Sequence, residues 1–442
     1  MFDTTIAAIS TALAPGAISI VRVSGEDAIS IVQSIFNKDI TKAKSYTMHY
    51  GYIIDENKQP VDEVLVSIFR APKTYTREDI VEINCHGGVY ITRKILTMVL
   101  SHGAQMAKPG EFTQRAFYHG RIDLSQAEAV EDMIEATNDT ASNMAIQGIR
   151  GSVAELIKPL IEDLLNIIAQ IEVNIDYPEY EDVAQLTTEE LLPMTKTWLE
   201  KIDAILARAQ SGQLAKKGID TILVGKPNVG KSSLLNALLE EDKAIVTDIA
   251  GTTRDLVEGQ IHIGSAQFNL IDTAGLHAST DQIEQIGIQK TQEKLKQAQL
   301  VIVVLDGSNP LDAEDQKLLD QTKEKTRLIV YNKKDKLETH SEGIWISAQN
   351  HEIDSLLDAM KQLFETNVVN EHPLLSSERQ IGLIQQAKQD MLHAKAAMEM
   401  GVEPDLVEID IQSAHDHLKE IFGEVHQEDL IDTLFSKFCL GK

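Results

Sequence analysis

Nine residues, Gly225-Lys226-Pro227-Asn228-Val229-Gly230-Lys231-Ser232-Ser233, limit what this chain can fold into more than any other stretch. They follow an apolar, β-branched run, Ile219 to Val224, and lead into Leu234-Leu235-Asn236-Ala237-Leu238-Leu239, which has helical spacing. In a strand, Gly-x-x-x-x-Gly-Lys-Ser loop and helix, backbone N–H groups converge at a helix N-terminus and favour an anion there. In that frame Lys231 reaches the outer phosphates of a nucleotide and the Ser232 hydroxyl ligates Mg²⁺. The plain alternative, a glycine turn ahead of a helix, leaves the motifs downstream without a purpose.

Those motifs come in order. Thr247-Asp248-Ile249-Ala250-Gly251-Thr252-Thr253-Arg254-Asp255 suits a segment that wraps the nucleotide and lends a threonine to the Mg²⁺ shell. Phe268 to Ile271 reads as a strand delivering Asp272-Thr273-Ala274-Gly275. Asp272 there holds Mg²⁺ through water, and Gly275 lets its N–H approach the γ-phosphate. Leu300 to Leu305 reads as a buried strand, and Leu328 to Tyr331 as another ending in Asn332-Lys333-Lys334-Asp335. A carboxylate at that strand end accepts from guanine N1–H and the 2-amino group together, which adenine cannot match. Ser347 and Ala348, after Ile344-Trp345-Ile346, supply the last loop over the base. The expected ligand is therefore GTP. Leu276 stands where Ras-like GTPases place a water-orienting glutamine, so another group must align the nucleophile. A monovalent cation near Asn228 and an acid such as Glu284 are candidates; Asn228 could instead cap the loop.

Strand and helix alternate over 219–368, as in a parallel α/β sheet. Residues 1–118 read as mixed α and β, with strands at Ala17 to Gly25, Val64 to Phe69 and Asp79 to Ile83, and a helix over Val89 to Leu100. Arg22, Glu82 and Arg121 are the polar residues to watch; the plainer reading makes them solvated charges at strand ends. Apolar helical spacing then runs from Val153 to Ile171 around Pro159, which kinks the helix or marks its first turn. A second helix is expected from Thr188 to Ala209, ended by Ser211-Gly212, after an acidic loop from Asp176 to Asp182. Three more stripes follow, from Ile381 to Met398, Val407 to Ile421 and Leu430 to Phe438. The simplest architecture inserts the nucleotide domain (219–368) into a helical bundle whose parts are 119–218 and 369–442. His415, His417 and His426 lack the spacing of a zinc set and read as surface histidines.

The formal net charge of −27 argues against broad nucleic-acid binding by this chain alone, so an RNA partner needs a local basic patch or a basic protein. Two cysteines, Cys85 and Cys439, fit a reducing cytosol. No apolar run approaches a membrane span, and the start of the chain reads as mature protein of the cytoplasm.

The phosphate loop, Thr-Asp-Ile-Ala-Gly-Thr-Thr-Arg-Asp, Asp-Thr-Ala-Gly-Leu and the terminal Cys439-Leu440-Gly441-Lys442 together resemble one family, the bacterial and organellar tRNA modification GTPases MnmE (TrmE). Arg121 to Ala129 also looks like the family's entry into its helical domain. The resemblance implies that 1–118 is a folate-binding domain that also forms a homodimer. It implies that Arg22, Glu82, Arg121 and Lys442 contact a tetrahydrofolate one-carbon carrier (5,10-methylene- or 5-formyl-tetrahydrofolate). It implies K⁺ ligands at Asn228, Thr247, Ile249 and Thr252, Mg²⁺ ligands at Ser232 and Thr253, and Glu284 as the acid that orients water through an intermediary. The family works with a flavoprotein, MnmG, which carries FAD and much of the tRNA contact. Together they add an aminomethyl or carboxymethylaminomethyl group at C5 of the wobble uridine. Leu440 and His277 depart from the family's commoner isoleucine and arginine, Arg121 stands at a position where lysine also occurs, and Cys439 fits a positional role better than a nucleophilic one. The rivals are a ribosome-assembly GTPase of the Era or Der type and a folate-dependent aminomethyltransferase with a regulatory G domain. The C-terminal region lacks the Gly-x-x-Gly RNA clamp expected of the first.

Overall fold

The two sheets of this protein bury their strands differently, and the residue patterns say why. A computed structural model describes residues 4–176, 188–240, 259–263, 266–272, 294–295, 298–336, 343–365, 375–424, 428–436 and 438–441. The segment Thr247 to Asp255 lies outside the described residues, as do Thr273, Ala274, Gly275, Leu276, His277, Glu284, His426 and Lys442. The chain divides into two compact units, one of Met1–Glu135, Ala145–Glu200 and Gly382–Lys442, the other of Ala136–Met144 and Lys201–Ile381.

The first unit holds a six-stranded sheet of β1 (Ile6–Ile9), β2 (Ile18–Ser24), β3 (Thr47–Ile54), β4 (Pro60–Phe69), β5 (Ile80–His86) and β6 (Gln105–Met106). Their order is β3-β4-β5-β2-β1-β6, antiparallel throughout except for the β1–β6 pair. Val21, Val23, Val66, Ile68, Val81 and Ile83 point to one face and form a core with Ile31, Val32, Ile95 and Val99 of the helices Ala28–Ile35 and Val89–Ser101. The alternate residues, Arg22, Glu82 and Asn84 among them, fall on the other face and stay half-buried. A one-residue slip of β2 would swap its valines for Arg22, so the core fixes the register. Each buried valine or isoleucine favours that register by about 1.5–3 kcal/mol.

The helical part of this unit joins segments from both sides of the nucleotide motifs. The helix Ser152–Asp176 buries Val153, Ile157, Leu160, Leu164, Ile168 and Ile171, and packs on the helix Pro404–Glu420, which buries Val407, Ile411, Ala414 and Leu418. The fully buried Trp198 donates its Nε1–H to the Leu160 carbonyl at 3.1 Å. Ile431, Phe435 and Phe438 close on Leu124 and Ala127. A discontinuous helical bundle is therefore present. Pro159 is internal to its helix rather than in the first turn.

Two expectations need correcting. The helix from Thr188 runs through Ser211-Gly212 to Lys217 and stops at Gly218, whose φ of +79° supplies the left-handed stop. An interior glycine costs a helix only about 1 kcal/mol, too little to end it alone. His415 is not on the surface: it is 7 % exposed, with Nδ1 3.2 Å from the Asp416 carboxylate.

The second unit holds β7 (Ile219–Val224), β8 (Gly259–Ile263), β9 (Ala266–Asp272), β10 (Leu300–Asp306), β11 (Arg327–Asn332) and β12 (Ile344–Trp345). The order is β12-β11-β10-β7-β9-β8, parallel except for the β8–β9 hairpin. Successive residues of β10 alternate between two cores. Leu300, Ile302 and Val304 join Leu234 and Leu238 of the helix Lys231–Glu240, while Val301, Val303 and Leu305 join Leu318 of the helix Ala313–Gln321. Coverage on both faces is the reason this strand is apolar throughout. The carboxyl ends of β7, β10 and β11 come together at one edge, where open α/β sheets place their ligands. Among the described residues no helix is long and apolar enough to cross a membrane.

Candidate functional site

At that edge the loop after β7 is held in one shape from three sides. Gly225 lies against β10, where an added Cβ would meet the Val304 carbonyl at 2.4 Å. Gly230 has φ +98°, and an added Cβ would meet the Asn332 amide nitrogen at 2.2 Å. Both positions therefore exclude a side chain. Between them Asn228 adopts φ +63°, a left-handed conformation that asparagine tolerates better than most residues. Asn228 is exposed, and among the described residues its side chain makes no hydrogen bond.

Lys231, only 6 % exposed, opens the helix Lys231–Glu240 and donates from Nζ to the carbonyls of Gly225 at 2.8 Å and Lys226 at 2.9 Å. The ammonium is thus folded over the loop, at the helix N-terminus where the dipole and free N–H groups favour an anion. Ser232 and Ser233 are exposed in the first helical turn, and Val229 is buried beneath them. Asp272 ends β9 opposite Leu223 of β7, next to the loop.

The base-side groups are tied to the phosphate loop by one side chain. Asn332 is 3 % exposed; its Nδ2 donates to the Val229 carbonyl at 2.8 Å and its Oδ1 accepts from the Ala348 N–H at 3.0 Å. Asp335 accepts from the Ser347 hydroxyl at 2.6 Å, and that bond lowers its pKa and keeps it an acceptor. Lys333, with φ +68°, reaches Asp306 at 2.6 Å. Burial pushes the Asp306 carboxyl up, but the bonds from Lys333 and Ser308 outweigh it and bring it down to about 2.

Sequence reasoning missed two anchors at this edge. Asp306, which holds Lys333 on the base side, is one. The other, on the phosphate loop itself, is a pair of carboxylates, Asp312 and Asp315, that take the Lys226 ammonium at 2.6 and 2.8 Å. Asp312 also caps the helix Ala313–Gln321 by accepting from the N–H groups of Glu314 and Asp315. The Asp-x-x-Asp spacing ahead of that helix was the available signal for a capping box.

A second site lies in the first unit. Arg22 and Glu82 face each other across β2 and β5, with Nε to Oε1 at 2.9 Å. They are mid-strand partners rather than charges at strand ends. Together with Arg121 they line a cleft of ≈ 550 Å³ walled by Tyr46, Phe69 and Tyr75. Arg121 lies over the Tyr75 ring, 4.8 Å from its centre, and the Tyr75 hydroxyl is 2.9 Å from the Thr113 hydroxyl. Gly441 reaches this place: its carbonyl accepts from Arg22 Nη1 at 3.2 Å and from the Ser10 hydroxyl at 3.0 Å. Gly441 has φ +91°, and an added Cβ would meet the Ile9 carbonyl at 2.3 Å. Cys439 is exposed, with its thiol 3.4 Å from the Glu131 carboxylate.

Comparison with known proteins places both regions in one framework. Residues 5–121 match the model of the GTP-binding protein TrmE N-terminus, and residues 124–439 match that of the MnmE helical domain. The chain is 48 % identical to a tRNA modification GTPase MnmE of Lactobacillus delbrueckii subsp. bulgaricus, covering 100 % of this chain and 98 % of that protein. It is 47 % identical to the MnmE of Bacillus cytotoxicus, covering 100 % of both. With that likeness sustained from end to end, the chain belongs to the MnmE family of tRNA modification GTPases.

Proposed function

We propose that this protein binds and hydrolyses GTP and uses that cycle in modifying the wobble uridine of tRNA. The observation that carries the reading is the anion cradle of Gly225 to Ser232, joined through Asn332 to the Asp335–Ser347 pair that would select guanine. Backbone N–H groups at the helix start and Lys231 address the phosphates. Ser232 and Thr253 would hold Mg²⁺ directly and Asp272 through water, and the ion would supply charge neutralisation. Asp248, Ala250, Gly251, Thr273, Ala274 and Gly275 complete the nucleotide contacts in this proposal, with Lys333 and Ala348 flanking the base.

With Leu276 unable to orient water, Glu284 takes that role through an intermediary. Asn228, Thr247, Ile249 and Thr252 would hold K⁺, whose charge would replace an arginine finger as two G domains pair in a homodimer. In the first unit, Arg22, Arg121 and Lys442 suit the carboxylates of a tetrahydrofolate one-carbon carrier, 5,10-methylene- or 5-formyl-tetrahydrofolate, and Glu82 suits the pterin's donor edge. The aromatic walls of the cleft fit such a ligand. The chain would act in the cytoplasm with the flavoprotein MnmG. That partner contributes FAD and much of the tRNA contact, in keeping with the charge of −27 here. The product is an aminomethyl or carboxymethylaminomethyl group at C5. Working boundaries are 1–118 for the folate domain, 119–218 and 369–442 for the helical domain, and 219–368 for the G domain.

The test is nucleoside mass spectrometry of bulk tRNA from cells lacking this protein, restored with the wild type or with Lys231→Ala. Loss of C5-modified uridine, recovered by the wild type alone, is the expected result. Unchanged modification in the deleted cells would leave a GTPase of another pathway, ribosome assembly first.

A further inference from the structure

The cleft beside Arg22 carries more positive charge than one bound glutamate needs. Its charged lining residues are Arg22, Lys73, Arg77, Arg121 and Glu82, four cations against one carboxylate, in a chain whose net charge is −27. Arg22 is already paired with Glu82. Among the described residues Lys73, Arg77 and Arg121 have no carboxylate partner, although the chain has 68 acidic residues to offer. Self-repulsion among like charges is unfavourable, so an unneutralised cluster marks a place built for an anion.

The cluster is also held in place. Arg77 has φ +61°, a left-handed conformation that is unfavourable for arginine, and its Nη1 donates to the His119 carbonyl at 2.8 Å. That bond sets the guanidinium beside the turn that carries Arg121. His119 in turn bonds the Thr76 carbonyl through Nδ1 at 2.6 Å, closing the loop on itself. Tyr46, also at φ +61°, bonds the Lys73 carbonyl through its hydroxyl and fixes the other side. Lys73 and Arg77 are exposed, so their heads remain accessible.

We propose that Lys73 and Arg77 form a subsite for the additional γ-linked glutamates of a polyglutamylated folate, making the polyglutamate form the preferred ligand. The proposal rests on the folate reading of Arg22, Glu82 and Arg121. Each added glutamate contributes one carboxylate, and the unpaired cations share the cleft with the Arg22–Glu82 pair. A bound anion there is therefore part of the ligand seated at Glu82 or competes with it. Nucleic acid is the weaker fit, because phosphate binding uses an extended track of basic residues rather than one cleft of ≈ 550 Å³.

The test is calorimetric titration of the full-length protein with 5-formyl-tetrahydrofolate as the monoglutamate and as the tetraglutamate. The tetraglutamate is expected to bind about tenfold tighter at low salt, from charge-assisted contacts at exposed sites. Added salt should shrink that preference. In a Lys73→Gln/Arg77→Gln variant the preference should fall to within about twofold, and Arg77→Lys should keep most of it. Equal binding of the two forms by the wild type overturns the subsite and leaves the folate reading intact. Failure of both forms to bind overturns the folate reading and the subsite with it. Displacement of the monoglutamate by a short single-stranded RNA, with no preference for the tail, assigns the cations to phosphate and overturns the proposal.

Discussion

Two places in this molecule are shaped to receive anions, and they do it with different parts of the chain. The loop after β7 offers backbone N–H groups at a helix start, and its side chains serve mainly to hold that backbone: Gly225 and Gly230 by having none, Asn332 by bonding Val229, Asp312 and Asp315 by fixing Lys226. The cleft of the first unit offers side-chain cations from β2, a loop after β4 and the turn before the helix Leu124–Glu135, with a backbone carbonyl from Gly441. Backbone recognition needs nine consecutive residues in one conformation. Side-chain recognition needs only that distant residues meet.

The difference predicts how each site breaks, and the largest effect belongs to the loop. Gly230→Ala puts a methyl group within 2.2 Å of the Asn332 amide at a φ of +98°. Either the loop or Asn332 must move, and GTP affinity should fall at least about a hundredfold by fluorescent-nucleotide titration, given strain of a few kcal/mol. Affinity within a factor of three of the wild type would mean that the loop is not held as described. Next comes Asn332→Ala, which leaves the buried Val229 carbonyl and Ala348 N–H without their bonds. Thermal unfolding of the second unit should register a loss of about 2–4 kcal/mol, from one to two kcal/mol per orphaned group.

In the cleft the same kind of change should be milder. Gly441→Ala clashes with the Ile9 carbonyl at 2.3 Å, but it displaces one backbone carbonyl bonded to Arg22 and Ser10 and leaves the cations of the cleft in place. Calorimetry with 5-formyl-tetrahydrofolate should show a loss of about tenfold, the value of one or two charge-assisted contacts at Arg22. A loss as large as that for GTP at Gly230→Ala would erase the distinction between the two sites.

The same distinction explains what could be read from the residues alone. The phosphate loop was legible because its chemistry is local: a strand, two glycines, a lysine and a helix in one run. β10 was legible because both faces are covered and every position is apolar. The strands β1, β3 and β6 were not named, since Ile6–Ile9 and Gln105–Met106 are short and β3 mixes exposed Met48 and Tyr50 with buried Gly51 and Ile53. The helix end at Ser211-Gly212 was misplaced because helix continuity outweighed one glycine. In the cleft, Arg22, Glu82 and Arg121 stood out as polar residues but took their ligand role only from family resemblance, while Lys73 and Arg77 carried no signal. Nothing in the order Lys73-Thr74-Tyr75-Thr76-Arg77 says that His119 will hold Arg77 beside Arg121. Such neighbours are set by a loop after β4 folding onto the turn after Tyr118, a contact between distant residues that exists only once the chain is folded.

The smallest effect sharpens the comparison by asking whether side-chain charge matters on the base side of this edge, as it does at Lys226 in the loop. Asp306 ends β10 and holds Lys333 at 2.6 Å, with Ser308 bonding the same carboxylate. Its pKa is about 2 in the folded state against 3.8 unperturbed, so the folded state binds its proton less readily than the unfolded one. The contribution to stability is therefore complete above about pH 4 and is lost as the pH falls toward 2. Asp306 is 18 % exposed, and with some solvent screening the shift corresponds to about 1–2 kcal/mol at neutral pH. Asp306→Asn keeps an oxygen for Ser308 and removes the partner of Lys333. Hydrogen-exchange protection of β10 and β11 should drop by about tenfold at pH 7, and the gap from the wild type should hold down to about pH 4 and narrow steadily from there toward about pH 2. A gap that stays constant across that range would assign the effect to packing beside Gly307 and Trp345 instead of charge. The base side of this edge would then be held by backbone and shape, and Lys226 on Asp312 and Asp315 would be the place where side-chain charge supports the phosphate loop.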